Sequence, residues 1–217
     1  MQPQDFIRRP LQYTKRHGIR ATVSRLGHSF KRTLAGRWHV LFFCDLAAGP
    51  VLADRLPDKA SVERKDAERE LSDEDAAQII SVWNPKIARR QLSERFAQGA
   101  SLWLFKVEGK VAAYGWTIIG RTVEQHFLPL GPGDAHLFDY FVFPEYRGQR
   151  INPALVNFIL ARLVSEGKRR AFIEAAEWNT AQLSSLSRTP FRPLGRAWKL
   201  SCFGKTLVIW SDREKPA

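Results

Sequence analysis

Residues Phe138–Leu160 read FDYFVFPEYRGQRINPALVNFIL. The stretch opens as an apolar strand, breaks at Pro144, passes through a short basic loop around Gly148, and resumes as a helix. A helix start carries unpaired backbone N–H groups and the positive end of the helix dipole, so a loop leading into one from a strand suits an anion, phosphate above all. Glycine lets the backbone approach such an anion, and arginine adds fixed charge with paired donors. Arg147, Gly148 and Arg150 fit that design. The glycine spacing of neither a Walker A loop nor a dinucleotide fingerprint is present. On this loop alone, a phosphate-bearing ligand and a solvated basic turn remain equal readings.

The surrounding chain sets the fold around this loop. SLWLFKVEGKVAAYGWTII is two apolar runs about Glu108-Gly109, which predicts a hairpin. AHLFDYFVF predicts the next strand, Pro153 to Glu166 a well-buried helix stopped by Gly167, and RAFIEAA another strand. A short helix follows in TAQLSSLSR, then a closing hairpin in AWKLSCFGKTLVIW that turns near Gly204. Upstream, HVLFFCDL reads as a strand, residues 47–71 as an exposed connector, and helices start at Ser72 and near Ile87. This order predicts an α+β fold with a mostly antiparallel central sheet flanked by helices.

The 217 residues suffice for one sizeable core with an appendage, and 44% apolar with 26% charged residues is ordinary for a folded soluble chain. No apolar run approaches a membrane span, and no signal-peptide pattern is present, so a cytoplasmic setting is expected. Cys44 and Cys202 fit neither a disulfide framework nor a metal site, and no metal is expected. The formal charge of +12 is concentrated at the front: residues 1–38 hold nine Lys/Arg against Asp5 alone. There Ile19, Val23, Leu26, Phe30 and Leu34 form one helical stripe among basic residues. The expected division is therefore a basic amphipathic segment, 1–38, before a domain spanning 39–217. The segment either packs on that domain or lies peripherally on an anionic membrane surface; an organellar presequence is a third reading. No nucleic-acid motif supports specific recognition.

VFPEYRGQRIN resembles the central motif of the GNAT superfamily of CoA-dependent N-acyltransferases, Val-x-Pro-x-x-Arg-Gly-x-Gly-x-Gly/Ala. Val142, Pro144, Arg147 and Gly148 stand in the motif positions. Asn179 and Phe191 occupy places where members carry an Asn after the next strand and the Phe of a Gly-Phe pair. The resemblance covers about Ser101 to Ile209. It departs at Arg150 and Asn152, which replace two glycines, and at Pro153, which has no N–H. Asn152 is expected to cap the helix instead. The resemblance implies acyl-CoA, acetyl-CoA in the first place, as co-substrate. Its phosphates would lie on the loop from Arg147 through Gly148, Gln149 and Arg150 to Asn152, with Asn179 nearby. Its pantetheine would run along Tyr140 and Val142, and the Tyr140 amide would polarise the thioester carbonyl.

Amine acylation needs a neutral amine and a proton for the departing thiolate. The family's usual tyrosine acid is replaced by Leu186, and the glycine of its Gly-Phe pair by Pro190. His136, with an ordinary pKa of about 6.5, is the candidate base or else a strand-end histidine beside the GPGD turn, and Glu124, Asp139 and Glu174 are weaker alternatives. A buried carboxylate such as Glu174 needs a partner. Trp103, Trp116 and Trp178 are read first as core and second as acceptor-pocket lining. The implied acceptor is a primary amine, either a small molecule or lipid-linked. Two rivals stay open: a degenerate protein that binds CoA or another phosphate ligand, and a transferase that takes its acyl group from a carrier protein or aminoacyl-tRNA.

Overall fold

The computed structural model describes residues 38–49, 56–123, 126–202 and 205–213. The basic segment up to residue 37 and Glu124 lie outside them. Eight strands form one sheet: β1 Trp38–Asp45, β2 Ala60–Lys65, β3 Ser101–Val107, β4 Lys110–Ile119, β5 Asp134–Val142, β6 Arg170–Ala176, β7 Arg192–Cys202 and β8 Lys205–Arg213. Their spatial order is β2-β3-β4-β5-β6-β1-β7-β8. Every pairing is antiparallel except β5 with β6. The α+β class and mostly antiparallel sheet are thus as the sequence implies.

The helices are α1 Asp73–Ser81, α2 Pro85–Ala97, α3 Ile151–Ser165 and α4 Thr180–Leu186. Ser72 caps α1, accepting from the Asp75 amide at 3.1 Å, and Asn84 caps α2 ahead of Pro85. Both faces of the sheet are covered. Trp103 and Phe105 pack under α3 with Leu155, Ile159 and Leu163. Leu102, Leu104, Tyr114 and Trp116 pack against Ile79, Leu92 and Phe96 of α1 and α2 on the other side. Strands buried on both faces read as continuous apolar runs, which is why SLWLF and AAYGW lack alternation.

Two expectations change. Residues 47–71 are not all connector, because Ala60–Lys65 pair with β3 as an edge strand. The charges of its Glu63, Arg64 and Lys65 suggest a loop, but charge is how edge strands resist pairing with other chains. Arg64 also reaches Glu166 at 2.9 Å, tying this edge to the end of α3. The second change concerns Asn152, which does not cap α3. The capping position belongs to Arg150, in the left-handed region at φ 59°. Asn152 instead donates from Nδ2 to Ser185 Oγ at 2.8 Å and Gln182 Oε1 at 3.2 Å, binding α3 to α4.

Candidate active site

β5 and β6 pair from Asp134↔Arg170 to Leu137↔Ile173 and no further. β5 runs on to Val142 beside β4, and β6 runs on to Ala176 beside β1. The sheet is therefore open between its two parallel strands. The register of β4 on β5 also shifts between Tyr114 and Trp116, and Asp139 stands opposite this irregularity at φ 51°. A left-handed aspartate is uncommon, and bulges of this kind re-aim side chains beside active sites.

A cavity of about 400 Å³ lies at the open end. β5 contributes Tyr140, Phe141 and Val142; the loop and start of α3 contribute Arg147, Gly148, Arg150 and Asn152; Asn179 and Ser185 close it from the α4 side. The strand, the motif loop and Asn179 are thus brought together around one space. Gln149 is on the loop but turns its amide to the Glu145 carbonyl at 3.3 Å. Gly148 adopts φ 80° with nothing within 4 Å of where a Cβ would stand, so the loop there is open and glycine-specific. Arg147 donates from Nε to the Val142 carbonyl at 3.2 Å and lies over the Phe141 ring, which holds its guanidinium at the cavity wall. Asn179 is occupied as the cap of α4, accepting from the Gln182 amide at 3.2 Å. Arg188 lines the same cavity and was missed in the sequence, where an arginine after a short helix carries no motif.

A second cavity, of about 320 Å³, lies between α1, α2 and the sheet. Trp83, Ile87, Tyr114 and Trp116 give it an aromatic and apolar wall, and Asp139 with Arg95 gives it a charged end. The Arg95 guanidinium also lies over the Trp116 and Phe138 rings. Trp116 thus serves both readings, as core and as wall. Trp103 is core alone, and Trp178 is exposed.

Tyr114 is 2% exposed and accepts from Trp83 Nε1 at 3.3 Å. Burial first, and then the charge of Asp139, push its phenol up to about 12; burial pushes that of Tyr140 well above its usual value. Both phenols ionise near pH 10 when unfolded. Folded pKa values above the unfolded ones mean stability that is fully present below about pH 10 and lost as pH rises toward 12. Tyr114 alone should account for about 2–3 kcal/mol of that loss. Urea midpoints at pH 8 and 11.5 should differ accordingly, and Tyr114→Phe should shrink the difference. An unchanged difference would show that Tyr114 ionises freely in the folded state.

His136 is buried and lines neither of these cavities. Its Nε2 lies 2.8 Å from Glu174 Oε2, and its Nδ1 is buried without a hydrogen-bond partner among the described residues. A base must reach the proton it removes, so this placement argues against the direct catalytic role expected of His136. Glu174, conversely, has the partners that its burial demands: His136, and His126 at 3.1 Å. Burial pushes the Glu174 carboxyl up, but the charges of and hydrogen bonds from the two histidines outweigh it and hold the group well below the carboxylate range. Leu186 is fully buried, so no phenol stands where the family's acid would be.

A sequence model of the acetyltransferase (GNAT) family matches residues 66–185, more than half of the chain, and the chain belongs to that family. Solved structures share its fold. A GCN5-related N-acetyltransferase from Sphaerobacter thermophilus superposes with a TM-score of 0.54 at 16% identity, over 81% of this chain and 54% of that one. A tandem GNAT protein from the clavulanic acid biosynthesis pathway gives 0.52 at 16%, over 87% and 59%. An acetyltransferase of the GNAT family from Colwellia psychrerythraea gives 0.52 at 12%, over 72% and 52%. The chain thus spans between half and three-fifths of the length of these structures. No curated protein matches it. No helix among the described residues is long and apolar enough to cross a membrane.

Proposed function

We propose that the protein transfers an acetyl or other short acyl group from CoA to a primary amine by direct attack. The observation that carries this reading is the end of β5–β6 pairing at Leu137↔Ile173, with the arginine-lined cavity at the opening. Acyl-CoA would lie with its phosphates among Arg147 and Arg150 at the start of α3 and Arg188 after α4, and its pantetheine along Tyr140 to Val142. The Tyr140 amide, turned by the bulge at Asp139, is the proposed donor to the thioester oxygen. The amine would come through the second cavity, whose aromatic wall suits an arylalkylamine and whose Asp139 carboxylate would orient the nitrogen. The nitrogen gives up one proton to solvent water before attack. It attacks the carbonyl carbon, the C–S bond breaks, and the second proton it loses goes to the thiolate.

The test is thermal unfolding with acetyl-CoA. At 100 times its dissociation constant a ligand stabilises by about 2.7 kcal/mol. The wild type should show that shift, and Arg147→Ala and Arg150→Ala should lose most of it. No shift in the wild type would refute CoA as donor and favour a carrier-borne acyl group. A shift without turnover on any primary amine would favour the binding-protein reading, which the buried Leu186 supports.

A further inference from the structure

Three side chains from separate parts of the chain meet where β5 and β6 part. His126 comes from the segment between β4 and β5, His136 from β5 and Glu174 from β6. Both Nε2 atoms point at one oxygen, Glu174 Oε2, from 2.8 Å (His136) and 3.1 Å (His126). The ligand atoms of all three lie within 4.8 Å of one another. Two imidazole nitrogens and a carboxylate oxygen are the donors that zinc and its first-row neighbours prefer. Tetrahedral bonds of 2.0–2.1 Å set ligand atoms about 3.3 Å apart. The two short edges need to open by a few tenths of an ångström, and the histidine–histidine edge, within 4.8 Å, closes toward the same spacing by a turn of the rings.

A plain hydrogen-bonded cluster is the alternative, and two observations weigh against it as the whole account. Each ring is held at Nε2 alone, so coordination through Nε2 would replace its bond to Glu174 and place the proton on Nδ1, which is buried without a hydrogen-bond partner among the described residues. First, Glu174 has no lysine or arginine in ion-pair contact among the described residues; it faces the two imidazoles only. A carboxylate paired with nothing but two imidazoles is itself a donor set for a divalent cation. Finally, the histidine side chains are 5% and 7% exposed and that of Glu174 is 22% exposed, leaving one open side. Three protein ligands and an open fourth position is the arrangement of exchangeable zinc sites.

We propose that His126, His136 and Glu174 form a binding site for a divalent cation of the zinc class, with one coordination position open. The site lies at the apex of the strand opening, since His136 precedes and Glu174 follows the last pair, Leu137↔Ile173. A bound ion would fasten β5, β6 and the segment before β5 together and fix how far the strands stand apart. That the ion would thereby tighten acetyl-CoA binding rests on the acyl-transfer reading. The binding itself does not.

The full-length protein, stripped with a chelator, is titrated with Co²⁺ and followed by visible absorption. The expected result is a band that saturates near one equivalent and is bleached by Zn²⁺. His126→Ala and Glu174→Gln should weaken it more than tenfold, and Zn²⁺ should raise the melting temperature of the wild type only. His126→Asn serves if the alanine variant does not fold, which its melting curve shows directly. Absence of the band in the wild type, or a band of equal strength in folded variants, would overturn the proposal. A Co²⁺ band with no acetyl-CoA shift would leave the cation site standing and remove the acyl-transfer reading instead.

Discussion

Gly115→Ala is expected to destabilise the protein by about 1–3 kcal/mol, the range for forcing extra volume into a filled core. An added Cβ would stand 2.4 Å from Tyr140 Cε1, 2.6 Å from Cδ1 and 2.7 Å from Cζ, which no side chain tolerates. To relieve the clash the ring must leave its place on the α3-side core, where its hydroxyl is buried, and move toward the larger cavity. For a chain of this size each kcal/mol should lower the melting temperature by about 2–4 °C. Tyr140 also borders the larger cavity, so its displacement should weaken the acetyl-CoA shift as well. Tyr140→Ala removes the atoms that clash, so the double variant should be less destabilised than the sum of the two single changes. Urea midpoints of all four proteins decide the matter. A Gly115→Ala change below about 0.5 kcal/mol would mean that the ring relocates freely.

Asp139→Asn is expected to reduce kcat/KM for a primary amine such as phenethylamine by about a hundredfold, the effect of misplacing a reacting group by an ångström. The acetyl-CoA thermal shift should be unchanged. Asparagine accepts the left-handed backbone about as well as aspartate, so the variant alters charge and not the bulge. Global stability should hardly change, since the Arg95 pair is partly exposed and such pairs contribute little. Equal turnover by both proteins would remove Asp139 from the account of how the amine is oriented.

Local chemistry made most of the fold readable. The hairpin at Glu108-Gly109, the cap at Ser72 and the buried stripe of α3 each follow from neighbours within a few residues. What stayed hidden depends on partners far along the chain. β2 is a strand because β3 is beside it, and its charges concealed that. Asn152 prefers two α4 side chains to the helix start that its sequence position suggested. The place of the motif loop at the mouth of α3 was legible, while Arg188 and the aromatic cavity required the packing of α1, α2 and α4. His136 was singled out by residue type and position, and Glu174 by its cost of burial. Nothing in the spacing of His126 announced that it would join them.

The place of β1 has a consequence for how the chain is made. It lies between β6 and β7, with His39 opposite Ala176 on one side and Ala197 on the other. β1 is therefore flanked on both edges by strands that come far later in the sequence. Until β6 and β7 have been made, its apolar residues Leu41, Phe42 and Phe43 lack their native neighbours, a state that invites aggregation. Closing such distant contacts is slow. The sheet cannot close around β1 before those two strands emerge.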